Sequence, residues 1–310
     1  MQTIGIGLVG TGIMGHRMIT ALQAHPQFRI AALWDPQPDA ARAALQVAPG
    51  ARHAASLQAL VTDADVQAVY IASPPAHHLA GVQAVLAAGR ACLCEKPLAH
   101  TVPEAQALHD AVVARGLPFA VNFPFACSAA ARQLGALLQQ GALGPVQQAR
   151  LTVRFARWPR DWQAGASDWL AGPAQGGFTR EVLSHFVFLA LRLFGPATVH
   201  EVQREQAPGQ AETRLRARLQ HGAVALHIDA AVEGAEADHN RFELIGSQDR
   251  AALTSWSRVE HGGQLTPAVL FTTATLDGFA ALVRGQPEPG MASVAEALAV
   301  VRCIEALLAG

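Results

Sequence analysis

The sequence is short of charge, and the charge it has is balanced. Only 15% of its 310 residues are Asp, Glu, Lys or Arg, and the formal net charge is -1. A protein that binds nucleic acid or a lipid surface electrostatically needs an excess of basic residues, which this composition does not supply. We therefore expect neither nucleic acid nor a membrane as a partner.

Long apolar runs and a leader pattern are also absent. The longest apolar helical stretch, Val182 to Phe194, is shorter than a membrane span and carries a histidine and an arginine. The first residues lead directly into a strand, with no charged segment or cleavage site before it, so we expect no secretory signal. These absences favour a cytoplasmic protein.

Cysteine is scarce as well, with four residues in the chain: Cys92, Cys94, Cys127 and Cys303. Cys92 and Cys94 alternate along one predicted strand, but no second pair stands at zinc spacing. Because cytosolic chains of this size rarely carry disulfides, we expect buried free thiols and no metal site.

The first part of the chain alternates between strand and helix patterns. The predicted strands are Thr3 to Val9, Phe28 to Trp34, Val66 to Ala72, Ala91 to Cys94 and Pro118 to Asn122. Helical patterns lie between them, including Ser56 to Val61, Ala76 to Ala88 and Val102 to Arg115. This order predicts an α/β domain with a doubly wound parallel sheet over residues 1–122.

The rest of the chain, residues 123–310, has a different order. Four strand patterns, Val146 to Phe155, Glu212 to Leu219, Ala223 to Ala231 and Arg241 to Ile245, follow one another with one long helix, Arg180 to Phe194, between them. Two helices separated by a Pro/Gly loop, Gly285 to Gly290, close the chain. We predict an α+β domain with a mostly antiparallel open sheet.

A glycine-rich segment follows the first predicted strand directly. Gly10, Gly12 and Gly15 form a G-x-G-x-x-G pattern, which allows a tight turn, close approach of a pyrophosphate and close helix packing. Asp35 ends the second predicted strand, where a carboxylate can accept hydrogen bonds from an adenosine ribose. The alternative is a glycine turn that holds no cofactor.

In an open α/β sheet, ligands bind beyond the carboxyl ends of the strands. One such loop begins with Ser73 and Pro74, whose backbone can lie along a nicotinamide ribose. His77 and His78 follow, and these histidines either belong to the cofactor site or cap the next helix. In a second loop, Lys96 is a candidate base, since a partly desolvated lysine can have its pKa lowered toward neutrality to accept the proton released by alcohol oxidation. A surface lysine paired with Glu95 is the alternative.

The second domain carries a glycine pair, Gly176 and Gly177, before its long helix. Glu181 and His185 stand four residues apart and share a helix face, so the carboxylate can orient the imidazole for proton transfer. The alternatives are a structural core histidine and a metal site, although a Glu and a His alone supply too few ligands.

An aromatic and basic loop runs from Arg157 to Trp162. The indoles of Trp158 and Trp162 can stack on sugar faces, and the guanidinium groups of Arg157 and Arg180 can bind carboxylate or phosphate. Alternatively, the aromatic side chains fix a long surface loop.

These segments, in this order, resemble the glucose-fructose oxidoreductase/inositol dehydrogenase (Gfo/Idh/MocA) family. The segments that carry the resemblance are the glycine pattern with Asp35, residues 74–78, Cys94 to Ala99, Gly141 to Gly144, the glycine pair with His185, and Glu243 to Ser247. The resemblance implies an NAD(P)-dependent oxidoreductase of sugars, polyols and related compounds. It also implies a Rossmann domain and a substrate-binding domain whose open sheet mediates a homodimer or homotetramer.

Residue by residue, Lys96 resembles the family's proton-transfer lysine and His185 its histidine. Glu181 stands where the family commonly has aspartate, and Leu183 and Phe188 replace a common glycine and acid, which makes this side of the helix less polar. Asp35 favours NAD over NADP, because a carboxylate repels the 2'-phosphate and no arginine follows it in Pro36-Gln37-Pro38.

Three sets of site residues are therefore predicted, and none of them binds a metal. The predicted catalytic residues are Lys96, His185 and Glu181. The predicted cofactor-binding residues are Gly10, Gly12, Ile13, Met14, Gly15, Asp35, Ser73, Pro74, His78, Glu95 and Lys96. The predicted substrate-binding residues are Lys96, Asn122, Arg157, Trp158, Trp162, Arg180, Glu181 and His185.

The function predicted from these residues is hydride transfer between NAD, or alternatively NADP, and a hydroxyl or carbonyl carbon of a small sugar-like molecule. Two other hypotheses stay open. One is a dinucleotide-binding sensor or regulator without catalysis, and the other is a reductase of a non-sugar carbonyl or an imine.

Overall fold

The computed structural model of the protein describes residues 2–232, 238–287 and 290–310. The chain forms two compact units, the first made of Met1–Phe123 and Thr272–Leu298, the second of Pro124–Phe271 and Ala299–Gly310. The predicted second domain, 123–310, therefore differs from the second unit, because residues 272–298 belong to the first. Glu288 and Pro289 of the predicted Pro/Gly loop lie outside the described residues.

The first unit is built on a parallel sheet. Its strands are β1 Ile4–Val9, β2 Phe28–Trp34, β3 Arg52–His53, β4 Ala68–Ile71, β5 Ala91–Glu95 and β6 Phe119–Asn122. The helices between them are α1 Ile13–Ala24, α2 Pro38–Val47, α3 Leu57–Thr62, α4 His78–Ala87 and α5 Val102–Arg115. The strand order β3-β2-β1-β4-β5-β6, with every pairing parallel, confirms the predicted doubly wound sheet.

The second unit contains the antiparallel part of the fold. Its helices are α6 Pro124–Cys127, α7 Ala129–Gln139, α8 Ser167–Leu170 and α9 Ser184–Phe194. Its strands are β7 Val146–Phe155, β8 Thr198–Gln206, β9 Glu212–His221, β10 Val224–Val232, β11 His239–Gly246, β12 Arg250–Thr254, β13 Arg258–His261 and β14 Gln264–Leu265. They form one sheet in the order β14-β13-β12-β11-β7-β10-β9-β8. Because β7 and β10 run parallel and the other pairs antiparallel, the predicted mostly antiparallel sheet is confirmed.

The two faces of this sheet differ in polarity. Every second residue of β7 from Ala149 to Phe155 is buried, as expected for a strand with one face in a core. On the buried face, Phe242 of β11 stacks on Phe186 of α9, with 6.5 Å between ring centroids. On the opposite face, the Arg154 guanidinium donates to the Asp229 carboxylate at 2.6 Å. The helix-covered face therefore supplies the core, and the other face carries ion pairs.

The last two helices are α10 Thr272–Val283 and α11 Val294–Ala309. α10 and the start of α11, up to Leu298, belong to the first unit, and the rest of α11 belongs to the second. The Phe279 ring of α10 stacks on Phe28 of β2 at a centroid distance of 6.1 Å. Leu276 and Ala280 lie in the same buried cluster of the first unit. This apolar surface on β2 is the physical reason why α10 belongs to the first unit rather than to the second.

Candidate functional site

The three glycines of the fingerprint have different surroundings. Gly10 has a φ of +88°, and a Cβ there would lie 2.7 Å from the backbone nitrogen of Ser73. A Cβ at Gly15 would lie 2.4 Å from the carbonyl oxygen of Gly10, whereas a Cβ at Gly12 would meet no atom within 4 Å. The fold itself thus requires Gly10 and Gly15, while Gly12 keeps open the space in front of α1. Open space at a helix N-terminus fits a pyrophosphate.

Asp35 lies at the end of β2 and is bound to this glycine loop. Its carboxylate accepts hydrogen bonds from the backbone N–H of Thr11 at 2.7 Å and from that of Gln37 at 2.9 Å. Ile13 and Met14 form the first turn of α1 and are half-buried. The carboxylate is therefore fixed beside the open end of α1, where a ribose hydroxyl can be recognised.

His78 connects two loops at the carboxyl edge of the parallel sheet. Its side chain is fully buried, with Nε2 at 2.9 Å from the Ser73 carbonyl oxygen and Nδ1 at 3.2 Å from that of Leu98. Burial lowers the pKa of His78. We infer that this predicted cofactor ligand positions the loop after β4 against the segment after β5. His77 is exposed and makes no side-chain cap on α4.

The lowered pKa of His78 predicts an acid-sensitive fold. Below about pH 6.5 the unfolded chain binds a proton at this imidazole more readily than the folded chain, so stability falls until the folded pKa is reached. His221, whose pKa burial also lowers, acts in the same direction. We expect His78→Gln to reduce the drop in urea midpoint between about pH 7.5 and about pH 5.5. The matched control His77→Gln should keep the wild-type drop; an unchanged drop in His78→Gln would contradict the prediction.

A buried carboxylate precedes Lys96. Glu95 ends β5 with an exposed fraction of 5%, and burial raises the pKa of its carboxyl group. The hydroxyl of Tyr70 and the amide of Asn122 both donate to Glu95 Oε1, the latter at 2.6 Å. The backbone N–H of Lys96 donates to Oε2 at 3.2 Å.

These hydrogen bonds define the position from which the Lys96 side chain starts. Tyr70 belongs to β4, Glu95 to β5 and Asn122 to β6, so three neighbouring strands fix one carboxylate. Lys96 itself is half-buried. The contacts of Glu95 and Asn122, predicted as a cofactor ligand and a substrate ligand, support a positioning role for both residues.

The four cysteines are free and buried, as expected from the sequence. Burial raises the pKa of the Cys92 and Cys94 thiols and raises that of Cys303 to about 12. Because the thiolate is the reactive form, a raised pKa disfavours reaction of the Cys92, Cys94 and Cys303 thiols. Among the residues that the structure describes, no group of three or more His, Cys, Asp or Glu side chains is arranged to hold a metal ion.

In the second unit, the glycine pair allows a buried carboxylate to approach the backbone. Gly177 has a φ of +96°, and a Cβ there would lie 3.0 Å from Glu212 Oε2. The backbone N–H of Thr179 donates to Glu212 Oε1 at 2.6 Å. A Cβ at Gly176 would lie 2.2 Å from the Trp169 carbonyl oxygen. The glycines are therefore needed for packing at the start of the helix that carries His185.

This helix does not begin as an α-helix. Thr179–Leu183 form a π-helical turn, closed by a hydrogen bond from the Ser184 N–H to the Thr179 carbonyl, and α9 follows. The single predicted helix from Arg180 to Phe194 is thus two segments. A π turn is wider than an α turn, so Glu181 and His185 do not have the angular spacing that the sequence pattern assumes. Both side chains are half-buried.

Arg180 is held by protein groups. Its Nε and Nη2 donate to the two oxygens of Glu305, at 2.7 and 2.9 Å, and Nη1 donates to the carbonyl oxygens of Pro173 and Gly176, at 2.5 and 3.1 Å. The residue is 8% exposed. These contacts support a structural role for this predicted substrate ligand, since two of its hydrogen bonds fix the loop before the π turn and two bind Glu305.

Removing the acidic partner of Arg180 should therefore cost stability. We expect Glu305→Ala to lower the free energy of unfolding by about 2 kcal/mol, because it leaves a buried guanidinium without its counter-charge. The matched control is Asp161→Ala, which breaks the exposed bidentate pair with Arg157 and should cost much less. Urea denaturation of the wild type and the two variants measures the loss in the free energy of unfolding. Equal losses in Glu305→Ala and Asp161→Ala would refute the structural role of the pair formed by Arg180 and Glu305.

The aromatic loop is organised around a side chain that the sequence pattern did not single out. The Arg160 guanidinium carbon lies 4.7 Å from the ring centroid of Trp162, 5.0 Å from that of Phe155 and 5.9 Å from that of Trp158. The indole N–H of Trp158 donates to the Leu170 carbonyl at 3.0 Å. Trp158 thus helps to fix the loop, while Trp162 remains 41% exposed.

His185 has aromatic neighbours on two sides. Its ring centroid lies 6.1 Å from that of Phe125 and 5.6 Å from that of Trp256, and both pairs are edge-on. Neither neighbour was predicted from the sequence. Phe125 lies in a helix of only four residues, and Trp256 lies in a turn between two strands whose sequences show no clear alternation of apolar and polar residues. The candidate proton-transfer histidine is therefore set in an aromatic cluster.

The parallel sheet, the open glycine loop and the fixed carboxylate of Asp35 together define the first unit as a dinucleotide-binding Rossmann domain. The profile of the oxidoreductase family with an NAD-binding Rossmann fold matches residues 4–123, and the profile of the GFO/IDH/MocA C-terminal domain matches residues 131–252. The chain belongs to the GFO/IDH/MocA oxidoreductase family.

The chain is similar in sequence to named relatives and in fold to solved structures. Levoglucosan dehydrogenase of Pseudarthrobacter phenanthrenivorans is 27% identical to this chain, and the match covers 63% of this chain and 52% of the relative. Inositol 2-dehydrogenase of Gluconacetobacter diazotrophicus is 37% identical, and the match covers 47% of this chain and 44% of the relative. The matched regions span about half the length of these relatives. GenD2 from gentamicin A biosynthesis, solved in complex with NAD, has a TM-score of 0.82 at 22% identity over 100% of this chain and 94% of its own. Within the described ranges, no helix is long and apolar enough to cross a membrane.

Proposed function

We propose that the protein is an NAD(P)-dependent oxidoreductase that transfers a hydride between a nicotinamide cofactor and a hydroxyl or carbonyl carbon of a sugar, polyol or related small molecule. The observation that carries the proposal is the open space at Gly12 in front of α1, with the Asp35 carboxylate fixed beside the same loop. Family membership, and relatives named as dehydrogenases of levoglucosan and inositol, support the substrate class.

Lys96 is the proposed proton carrier. When bound, the nicotinamide supplies the hydride chemistry, and the remaining task is to move the proton of the alcohol. Lys96 is the only lysine among the 23 Lys and Arg residues of the chain. An arginine cannot be deprotonated in a protein, whereas a lysine can act as a base. A single lysine in an arginine-rich chain, placed on a fixed backbone after β5, supports a role that needs a removable proton.

His185 is the second proposed proton carrier. It is half-buried at the start of α9, and the aromatic contacts with Phe125 and Trp256 restrict its ring. The Glu181 carboxylate, in the preceding π turn, is proposed to stabilise the imidazolium or to bind a substrate hydroxyl. The departures Leu183 and Phe188 do not bear on this proposal, since both side chains are buried in the core.

The cofactor preference follows from Asp35. A carboxylate at this place accepts hydrogen bonds from a ribose and repels a 2'-phosphate, so we propose NAD as the preferred cofactor. Titration with NADH and NADPH, followed by energy transfer from tryptophan to nicotinamide, tests this without a substrate. We expect tighter binding of NADH in the wild type and a smaller difference in Asp35→Ala. Preference for NADPH would refute the role of Asp35, and binding of neither would refute the proposed function.

We further propose a cytoplasmic enzyme that forms a homodimer or homotetramer through the open face of the second unit's sheet. The four free thiols are consistent with a reducing compartment. The open face carries paired charges such as Arg154 and Asp229. Light scattering coupled to size-exclusion chromatography tests the oligomer, and a monomer at all concentrations would contradict it.

A further inference from the structure

The aromatic cluster of the second unit contains one residue that local sequence gives no reason to expect there. Trp256 lies 5.6 Å from His185, 5.3 Å from Phe186 and 6.1 Å from Phe125, measured between ring centroids. Phe125 and Phe186 are both buried, so they form a firm base for the indole. Trp256 itself is half-buried, and its ring lies edge-on to that of the candidate proton-transfer histidine.

The backbone that carries Trp256 is in a conformation that non-glycine residues rarely adopt. Ser255 has a φ of 48° and Trp256 a φ of 66°, and they are the only non-glycine residues with positive φ in the described part of the chain. A bulky side chain in this region is strained, and such strain tends to persist at functional sites. Glycine would relieve the strain at Trp256, but it would remove the indole.

A buried asparagine holds this turn in place. Asn240, 2% exposed in β11, accepts the Trp256 N–H on its side-chain oxygen at 2.9 Å. Its backbone carbonyl accepts the N–H of Ser255 at 3.2 Å and the hydroxyl of Thr254 at 3.1 Å. Three hydrogen bonds to one residue thus offset the strained turn and fix the position of the indole.

We propose that Trp256 is a specificity-determining residue, whose indole forms an apolar wall beside His185 on which the C–H face of a cyclic substrate packs. This inference rests on the proposed function and narrows its substrate class to rings. An indole presents a flat apolar surface, and a pyranose or cyclitol presents a flat C–H face that can be buried against it. An acyclic polyol with the same number of hydroxyls presents no such face and gains little from the contact.

The test compares two polyols of equal carbon and hydroxyl count, myo-inositol and D-glucitol, as substrates with saturating NAD. We expect the wild type to favour the ring. In Trp256→Ala the ratio of kcat/KM for the cyclic over the acyclic compound should fall about tenfold, mainly through KM. Trp256→Phe should retain most of the preference, and affinity for NADH should stay unchanged in both variants.

Ser255→Gly is the matched control for the turn. It removes one positive-φ side chain and keeps the indole, so we expect an unchanged preference for the ring. A proportional loss for both polyols in Trp256→Ala, or an undiminished ratio, would overturn the inference while leaving the proposed function intact.

A wild type that binds NADH but oxidises neither polyol and reduces neither corresponding ketone would count against the proposed function instead. In that case tryptophan emission gives an independent reading. If myo-inositol changes the tryptophan emission of the wild type but not that of Trp256→Phe, this result would still support packing of the ring on the Trp256 indole. No change on adding either polyol would overturn it.

Discussion

Replacing Lys96 by Ala is expected to lower kcat for polyol oxidation by about 10²- to 10⁴-fold, the usual contribution of a positioned acid or base. Affinity for NADH should change far less, because the glycine loop and Asp35 are untouched. The measurement is steady-state kinetics at saturating NAD, combined with the energy-transfer titration. Turnover that survives in Lys96→Ala would show that the proton moves by another route.

Lys96→Arg separates charge from proton transfer. Arginine keeps the positive charge but cannot give up a proton, so this variant should be as slow as Lys96→Ala. Recovery of activity in Lys96→Arg would instead indicate that Lys96 acts as a fixed charge. Since the chain has no other lysine, an amine-selective acylating reagent can modify only Lys96 and the α-amino group. We expect saturating NADH to protect Lys96 from this reagent, as read by mass spectrometry of the peptide that contains it.

Gly15→Ala is expected to reduce the stability of the protein, whereas Gly12→Ala is expected to reduce its affinity for NADH. At Gly15 the new Cβ would lie 2.4 Å from the Gly10 carbonyl oxygen, so we expect a loss of about 3 kcal/mol in the free energy of unfolding. At Gly12 the new Cβ meets no protein atom within 4 Å. That variant should keep its stability and lose about tenfold or more in NADH affinity, because its methyl group occupies the space of the pyrophosphate.

Gly50→Ala is the control for both changes. A Cβ at Gly50 also meets no atom within 4 Å, but Gly50 lies away from the fingerprint, so neither stability nor NADH affinity should fall. Urea denaturation and the energy-transfer titration give the two readings. Wild-type NADH affinity in Gly12→Ala would exclude a pyrophosphate in front of α1.

Five of the six strands of the parallel sheet were predictable because their signals are local, and the two-residue strand β3 was not predicted. β2 and α5 begin and end at the predicted residues. β2 is apolar except for the exposed Arg29, as expected for a largely buried parallel strand, and α5 is bounded by Thr101, whose hydroxyl caps it, and by Gly116 in the left-handed conformation. In the second unit, β8 was not predicted. Its sequence from Thr198 to Gln206 is polar, and it is a strand at the edge of the sheet because β9 supplies its hydrogen-bond partners.

The residues of the candidate site also differ in whether a local sequence pattern predicts them. Gly10 and Gly12 belong to a contiguous glycine motif and Asp35 follows it at a characteristic spacing, so the sequence pattern alone predicts them as cofactor ligands. The roles of Tyr70 and Glu305 depend on partners that lie 25 and 125 residues away in the chain, so no local pattern reveals them. Arg180 is an example: its position predicts a substrate ligand, and the Glu305 carboxylate that it contacts is evident only from the structure.

The helix α10 has a consequence for how this chain folds during synthesis. The ribosome releases the N-terminal segment first, at about 5–20 residues per second. Phe28 then has no Phe279 to cover it until the whole of Pro124–Phe271 has been made. The nascent cofactor-binding unit therefore exposes apolar surface for about ten seconds or more, the interval in which chaperones can bind. Its core closes only after residues 272–298 have been made, so a protein truncated after residue 123 would be expected to aggregate rather than to bind NAD.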